Sequence, residues 1–131
     1  MSEACATRLK FVEAGTDVVP GVQAMSAAGH TIGDTIYIIK SGAKSLAFTG
    51  DISHHRILLT KRPKTEFSFD SDPKQAMQTR LKVSDMLAKD KIPFVSYHFP
   101  WPGSGNLARQ GDGFRFYPTP MENVCNPPKK A

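Results

Sequence analysis

Apolar and polar positions alternate loosely across residues 8–28, at Leu9 and Phe11 and then at Val18, Val19, Val22, Ala24 and Ala27. The alternation breaks at Ala14-Gly15-Thr16-Asp17 and again at Pro20-Gly21, which predicts two short strands separated by turns. Thr35 to Lys40 and Ser45 to Thr49 are rich in β-branched and aromatic residues and are joined by Ser41-Gly42-Ala43-Lys44, the pattern of a hairpin. From Pro73 to about Lys89 the period changes. Ala76, Met77, Leu81, Ser84 and Leu87 share one face with Met86 beside it, predicting an amphipathic helix packed on a sheet. Asp72 suits its N-cap and Pro73 its first turn. Ile92 to Tyr97 reads as a short buried strand, followed by a loop from His98 to Gly105. Two further strands, around Asn106 to Arg109 and Phe114 to Tyr117, flank the turn Gly111-Asp112-Gly113. Several strands with one strong helix predict an α/β or α+β layered domain.

Composition narrows the class. The 131 residues are 40% hydrophobic and 22% charged, which excludes collagen, disorder and coiled coil and predicts one domain over residues 1–131, with tails at 1–7 and 119–131. A domain of this size buries enough surface to dispense with disulfides. Cys5 and Cys125 lie far apart without a CxxC partner, so two free thiols are expected. No apolar run approaches the roughly 20 residues of a membrane span. Met1 to Lys10 lacks the apolar core of a signal peptide, so the expected location is cytoplasmic, with no membrane partner. The net charge of +5 admits nucleic acid, an anionic small molecule, or solubility alone. The basic residues between Arg56 and Lys91 are interleaved with Glu66, Asp70, Asp72, Asp85 and Asp90, a distribution that argues against a nucleic-acid footprint.

Three apolar strands end in a potential metal ligand: Ala27-Ala28-Gly29-His30-Thr31, Phe48-Thr49-Gly50-Asp51 and Val95-Ser96-Tyr97-His98. Two imidazoles and a carboxylate carried by rigid strand ends suit Zn²⁺ or another divalent metal. A glycine before His30 and before Asp51 lets the backbone turn sharply there. Each segment also has an ordinary reading, as a hydrogen-bonded strand-end histidine or a Gly-Asp turn. His54 and His55 follow Asp51 as either a solvated loop pair or ligand-groove residues. Phe99 and Trp101 are candidates for lining a substrate pocket, with Trp101 between two prolines suited to an exposed mouth or an interface. Phe67 and Phe69 fit a pocket wall or the core equally well.

Gly29-His30-Thr31-Ile32-Gly33-Asp34-Thr35, the hairpin ending in Phe48-Thr49-Gly50-Asp51, the helix, Tyr97-His98-Phe99-Pro100-Trp101-Pro102-Gly103 and Gly111-Asp112-Gly113-Phe114-Arg115-Phe116 together resemble the C-terminal half of a metallo-β-lactamase-fold hydrolase. The likeness runs from about Leu9 to Pro118 and is greatest to the branch containing methyl parathion hydrolase and quorum-quenching lactonases. It implies half of an αββα sandwich, a mixed sheet with one main helix. It implies His30 as a ligand of one metal, Asp51 as a carboxylate bridging two, and His98 as a ligand of the second. From their place at or beside Asp51 and in the loop after His98, Asp51 and His55 are the catalytic candidates and His54, Phe99 and Trp101 the substrate-binding candidates. Asp34 stands where relatives often carry a histidine. The HxHxDH motif that supplies the remaining ligands is absent, since the four histidines are His30, His54, His55 and His98.

A half-fold leaves exposed the sheet face that the other half would cover. The expected partner is a second copy, completing the fold as a homodimer, or a separate chain carrying the N-terminal half. Two function classes follow. One is a metal-dependent hydrolase, active on ester, lactone or phosphotriester bonds when paired. The other is a homodimer whose old groove binds an anionic small molecule or cofactor without metal chemistry.

Overall fold

The computed structural model describes residues 11–120. The expectations for Cys5, Leu9, Cys125 and most of the two tails fall outside that range. The elements are β1 (Asp17–Val19), β2 (Val22–Ser26), β3 (Thr35–Ser41), β4 (Lys44–Phe48), α1 (Leu58–Lys61), α2 (Pro73–Lys89), β5 (Phe94–Val95), β6 (Ser104–Gln110) and β7 (Gly113–Pro118). The strands form one seven-stranded sheet in sequence order. Every neighbouring pair is antiparallel except β4 and β5, which run parallel on either side of the α2 crossover. The strands and the one main helix are those the pattern predicts, and the mixed sheet is the one the resemblance implies.

The hairpin closes tightly. Ser41 and Lys44 pair as its last rung, so only Gly42 and Ala43 form the turn. β6 starts inside the segment expected as loop, because Ser104 and Gly105 pair with Val95 and Phe94. The four-residue α1 is too short to show a hydrophobic period. α2 begins and ends where expected, and the Asp72 side chain accepts a hydrogen bond from the Gln75 amide at 3.0 Å.

The face that α2 buries differs from the expected one. Its buried residues are Ala76, Arg80, Val83, Ser84 and Leu87, while Met77 and Leu81 are half-buried. Val83 and Leu87 meet Ile36, Ile38, Ala47, Phe94, Phe99, Leu107 and Phe114 in one core between the helix and a face of the sheet. Strand side chains alternate between faces. The opposite face therefore carries the paired positions Val22, Ile39 and Leu46, and beside them Tyr37, Phe48 and Val95. All six retain solvent exposure among the described residues.

Candidate metal centre

β2, β4 and β5 run in the same direction, since β2 and β4 flank the antiparallel β3 and β4 pairs in parallel with β5. Their C-terminal ends therefore emerge at one edge of the sheet, and the loops that follow carry His30, Asp51, His54 and His98. The register between β4 and β5 aligns two of these. Phe48 is opposite Val95, and three residues beyond each partner stand Asp51 and His98. The Thr49 amide and hydroxyl both donate to the Val95 carbonyl at 3.0 Å, holding the two exits side by side. His98 Nε2 consequently lies 2.9 Å from Asp51 Oδ1.

His30 reaches the same edge by a different route. Gly29 adopts φ +143°, and a Cβ there would fall inside the Ala76 backbone, so the β2–β3 loop presses directly on the start of α2. The Asp72 amide donates to the Gly29 carbonyl at 2.9 Å and the Ser71 amide to the His30 carbonyl at 3.0 Å. This pairing seats Asp70 against the His30 ring, with Nδ1 3.0 Å from Asp70 Oδ1. Gly50, at φ +51°, makes the corresponding turn before Asp51.

His54 joins the two pairs. Its ring centroid lies 4.6 Å from that of His30 and 4.7 Å from that of His98, giving a row of three imidazoles with Asp70 at one end and Asp51 at the other. Two three-residue sets of nitrogen and oxygen donors result, His30–His54–Asp70 and Asp51–His54–His98, each with its atoms within 4.8 Å of one another. The Asp70 side chain is 1% exposed and that of Asp51 39%, so the row runs from a dry end to an open one. Burial first, then the neighbouring His30 and His98, push the His54 imidazole below its ordinary value, favouring the neutral form that can act as a ligand; Asp70 and Asp51 oppose this. Asp34 lies close by, with its carboxyl held above the ordinary range mainly by burial and further by Asp51, against the Thr35 amide and His30.

The structure thus brings His30, Asp51 and His98 to one edge, but in two groups that only His54 connects. His54 sits inside the row instead of in a peripheral substrate contact. Asp70 and Arg80 support the site although the strand-end pattern does not mark them. The available signal was a cation at position 80, one turn from both Ala76 and Ser84 in the middle of the buried helix face. His55 points elsewhere. Its Nδ1 accepts from the Ile57 and Leu58 amides at 3.2 and 3.0 Å, so it caps α1 and stands outside both donor sets. Phe99, expected at a groove, is instead packed in the core edge-to-face against Phe94 and Phe116, because the turn after β5 folds it under the sheet. Trp101 is 82% exposed on the following loop. Phe69 borders the site with its ring 4.9 Å from His54, while Phe67 packs beneath the Arg80 guanidinium.

The donor set fits a divalent metal of borderline softness. Neutral imidazole nitrogens and carboxylate oxygens are what such an ion takes. Moreover, His54 Nε2 is buried without a hydrogen-bond partner, a state that ligation of an ion would relieve.

No family profile matches the sequence, and no curated protein matches it. Solved structures do. A dizinc quorum-quenching lactonase, AidC, seen with a product N-hexanoyl-L-homoserine, superposes with a TM-score of 0.85 and 31% identity over 92% of this chain. The hydrolase AbOPH of the β-lactamase superfamily gives the same values. The chain is a partial metallo-β-lactamase fold. It spans 41% of the length of each of these two proteins. A probable metal-dependent hydrolase from Staphylococcus aureus shares the fold with a TM-score of 0.67 at 21% identity, over 42% of its own length. Among the described residues, no helix is long and apolar enough to cross a membrane.

Proposed function

We propose that the chain is a half-fold carrying part of the ligand set of a metal-dependent hydrolase, which acts on ester, lactone or phosphotriester bonds once the fold is completed by a partner. The observation that carries this reading is the row His30–His54–His98 between Asp70 and Asp51, with the unpartnered His54 Nε2 inside it. His30, Asp51, His54 and His98 would hold the ion or ions. A divalent metal in such a site supplies Lewis acidity toward a carbonyl or phosphoryl oxygen and acidifies water. The chain's own residues set the His54 imidazole inside the row with Phe69 beside it, and leave the Asp51–His98 end open to a substrate. The test is zinc content of the purified full chain by mass spectrometry, paired with hydrolysis of a lactone, an aryl ester and a phosphotriester. Metal-free protein that binds no added zinc would favour a groove that holds an anionic small molecule without metal chemistry.

The partner we propose is a second copy of the chain, seated on the sheet face opposite α2. Val22, Tyr37, Ile39, Leu46, Phe48 and Val95 form an apolar patch there that no described element covers. Related hydrolases are more than twice as long, so the layer that would bury this face is not among the described residues. A two-fold contact needs only one self-complementary surface.

A further inference from the structure

Arg80 is the largest side chain buried to below 2% exposure, and it is a cation inside the helix–sheet core. A guanidinium in that position is tolerated only if its donors are met and its charge is balanced. Nε and Nη1 are met by carbonyls of the segment between β4 and α2. Nε donates to Ile52 at 2.9 Å, and Nη1 donates to Pro63 at 3.0 Å and Thr65 at 2.8 Å. The charge is balanced by Asp70, whose Oδ2 lies 3.7 Å from Nη2. Arg80 thus clamps both ends of the segment that carries His54 and fixes the carboxylate beside it.

The other oxygen of that carboxylate faces the site. An ionised carboxylate only accepts hydrogen bonds, so the 3.0 Å contact between Asp70 Oδ1 and His30 Nδ1 requires the proton to sit on Nδ1. In the neutral ring this leaves Nε2 with its lone pair free. A carboxylate that fixes the tautomer and orientation of a ligating histidine is a general means of raising metal affinity.

Resting on the metal-binding reading above, we infer that Asp70, held by Arg80, is a positioning residue that locks His30 in the Nδ1–H form and so presents Nε2 as the metal donor. Asp70 then acts through His30 and is not itself a ligand. Arg80 extends the support to His54, because the loop it clamps begins at Ile52 and closes at Thr65.

The decisive measurement is the imidazole tautomer of His30 in the metal-free full chain, read from long-range proton–nitrogen correlation at a pH where the ring is neutral, alongside zinc titration by calorimetry. The wild type should show Nδ1–H. Asp70→Ala should give mixed tautomers and weaken zinc binding by about 10- to 100-fold with stoichiometry unchanged. Asp70→Asn, which keeps a neutral acceptor, should restore part of both. Should Asp70→Ala fail to fold, Arg80→Lys serves the same end, since an ammonium cannot reproduce the fork to three carbonyls and a carboxylate. It should loosen the tautomer in the same sense. A wild-type His30 protonated on Nε2, or variants with unchanged tautomer and zinc affinity, would overturn the inference. Loss of one zinc equivalent in both Asp70 variants would overturn it too, making Asp70 a ligand. If the wild type binds no zinc, the metal reading fails while the tautomer measurement still judges the role of Asp70.

Discussion

Gly29 and Asp34 show how single positions set the shape and charge of the site. At Gly29 the backbone is both in a region that L side chains avoid and in direct contact with the Ala76 backbone, so no rotamer change relieves an added methyl. Gly29→Ala should lower stability by about 1–3 kcal/mol in denaturant titrations, and should also displace His30 and weaken zinc binding. Asp34 has a buried Oδ2 with no hydrogen-bond partner and a pKa raised above 3.8, chiefly by burial. The folded protein therefore holds this proton more tightly than the unfolded chain. The stabilisation is complete below the unfolded value and is lost as pH rises through the raised folded value, leaving an unfavourable buried charge at neutral pH. Asp34→Asn should consequently raise the melting temperature at pH 7, with a benefit that shrinks toward acid. A benefit that instead grew toward acid would contradict this account.

At the scale of elements, α2 ties the core to the site. Its N-cap Asp72 satisfies the Gln75 amide, and the amide of the same residue holds the Gly29 loop. Asp72→Ala should cost about 1 kcal/mol through the lost cap. Leu87, 1% exposed at the centre of the helix–sheet core, is a different case. Leu87→Ala leaves a cavity and should cost about 2–5 kcal/mol. Both follow from thermal or urea unfolding monitored by circular dichroism. A larger loss for the cap than for the core residue would mean that the Gly29 contact, and not packing, dominates the stability of α2.

For the whole molecule, the proposed self-pairing rests on the sheet face that no described element covers. Six apolar side chains from β2, β3, β4 and β5 remain partly in water on the side away from α2. Sedimentation at micromolar concentration should show a dimer. Leu46→Lys, which sets a charge at the middle of the patch without touching the α2 core, should convert it to a folded monomer. A wild-type chain that stays monomeric at every concentration would end the self-pairing proposal and leave a separate partner chain as its successor.

Much of this was legible in the chain itself because it is local. The α2 limits follow from a 3.6-residue period opened by Asp72-Pro73, and the β3–β4 hairpin from two β-branched runs around Gly42. That His30, Asp51 and His98 each follow a strand could also be read directly. Their grouping could not. Asp51 meets His98 only through a two-residue parallel register between β4 and β5, formed by segments 47 residues apart. Asp70 meets His30 only because Gly29 lets a loop rest on α2. Arg80 breaks the polarity pattern that marks a helix face, since its burial depends on carbonyls and a carboxylate supplied from elsewhere in the chain. Periodicity and capping act within a few residues, so sequence alone determined the longer elements, but neither the four-residue α1 nor the start of β6. Which loops converge depends on strand order and register, and those only the tertiary structure decided.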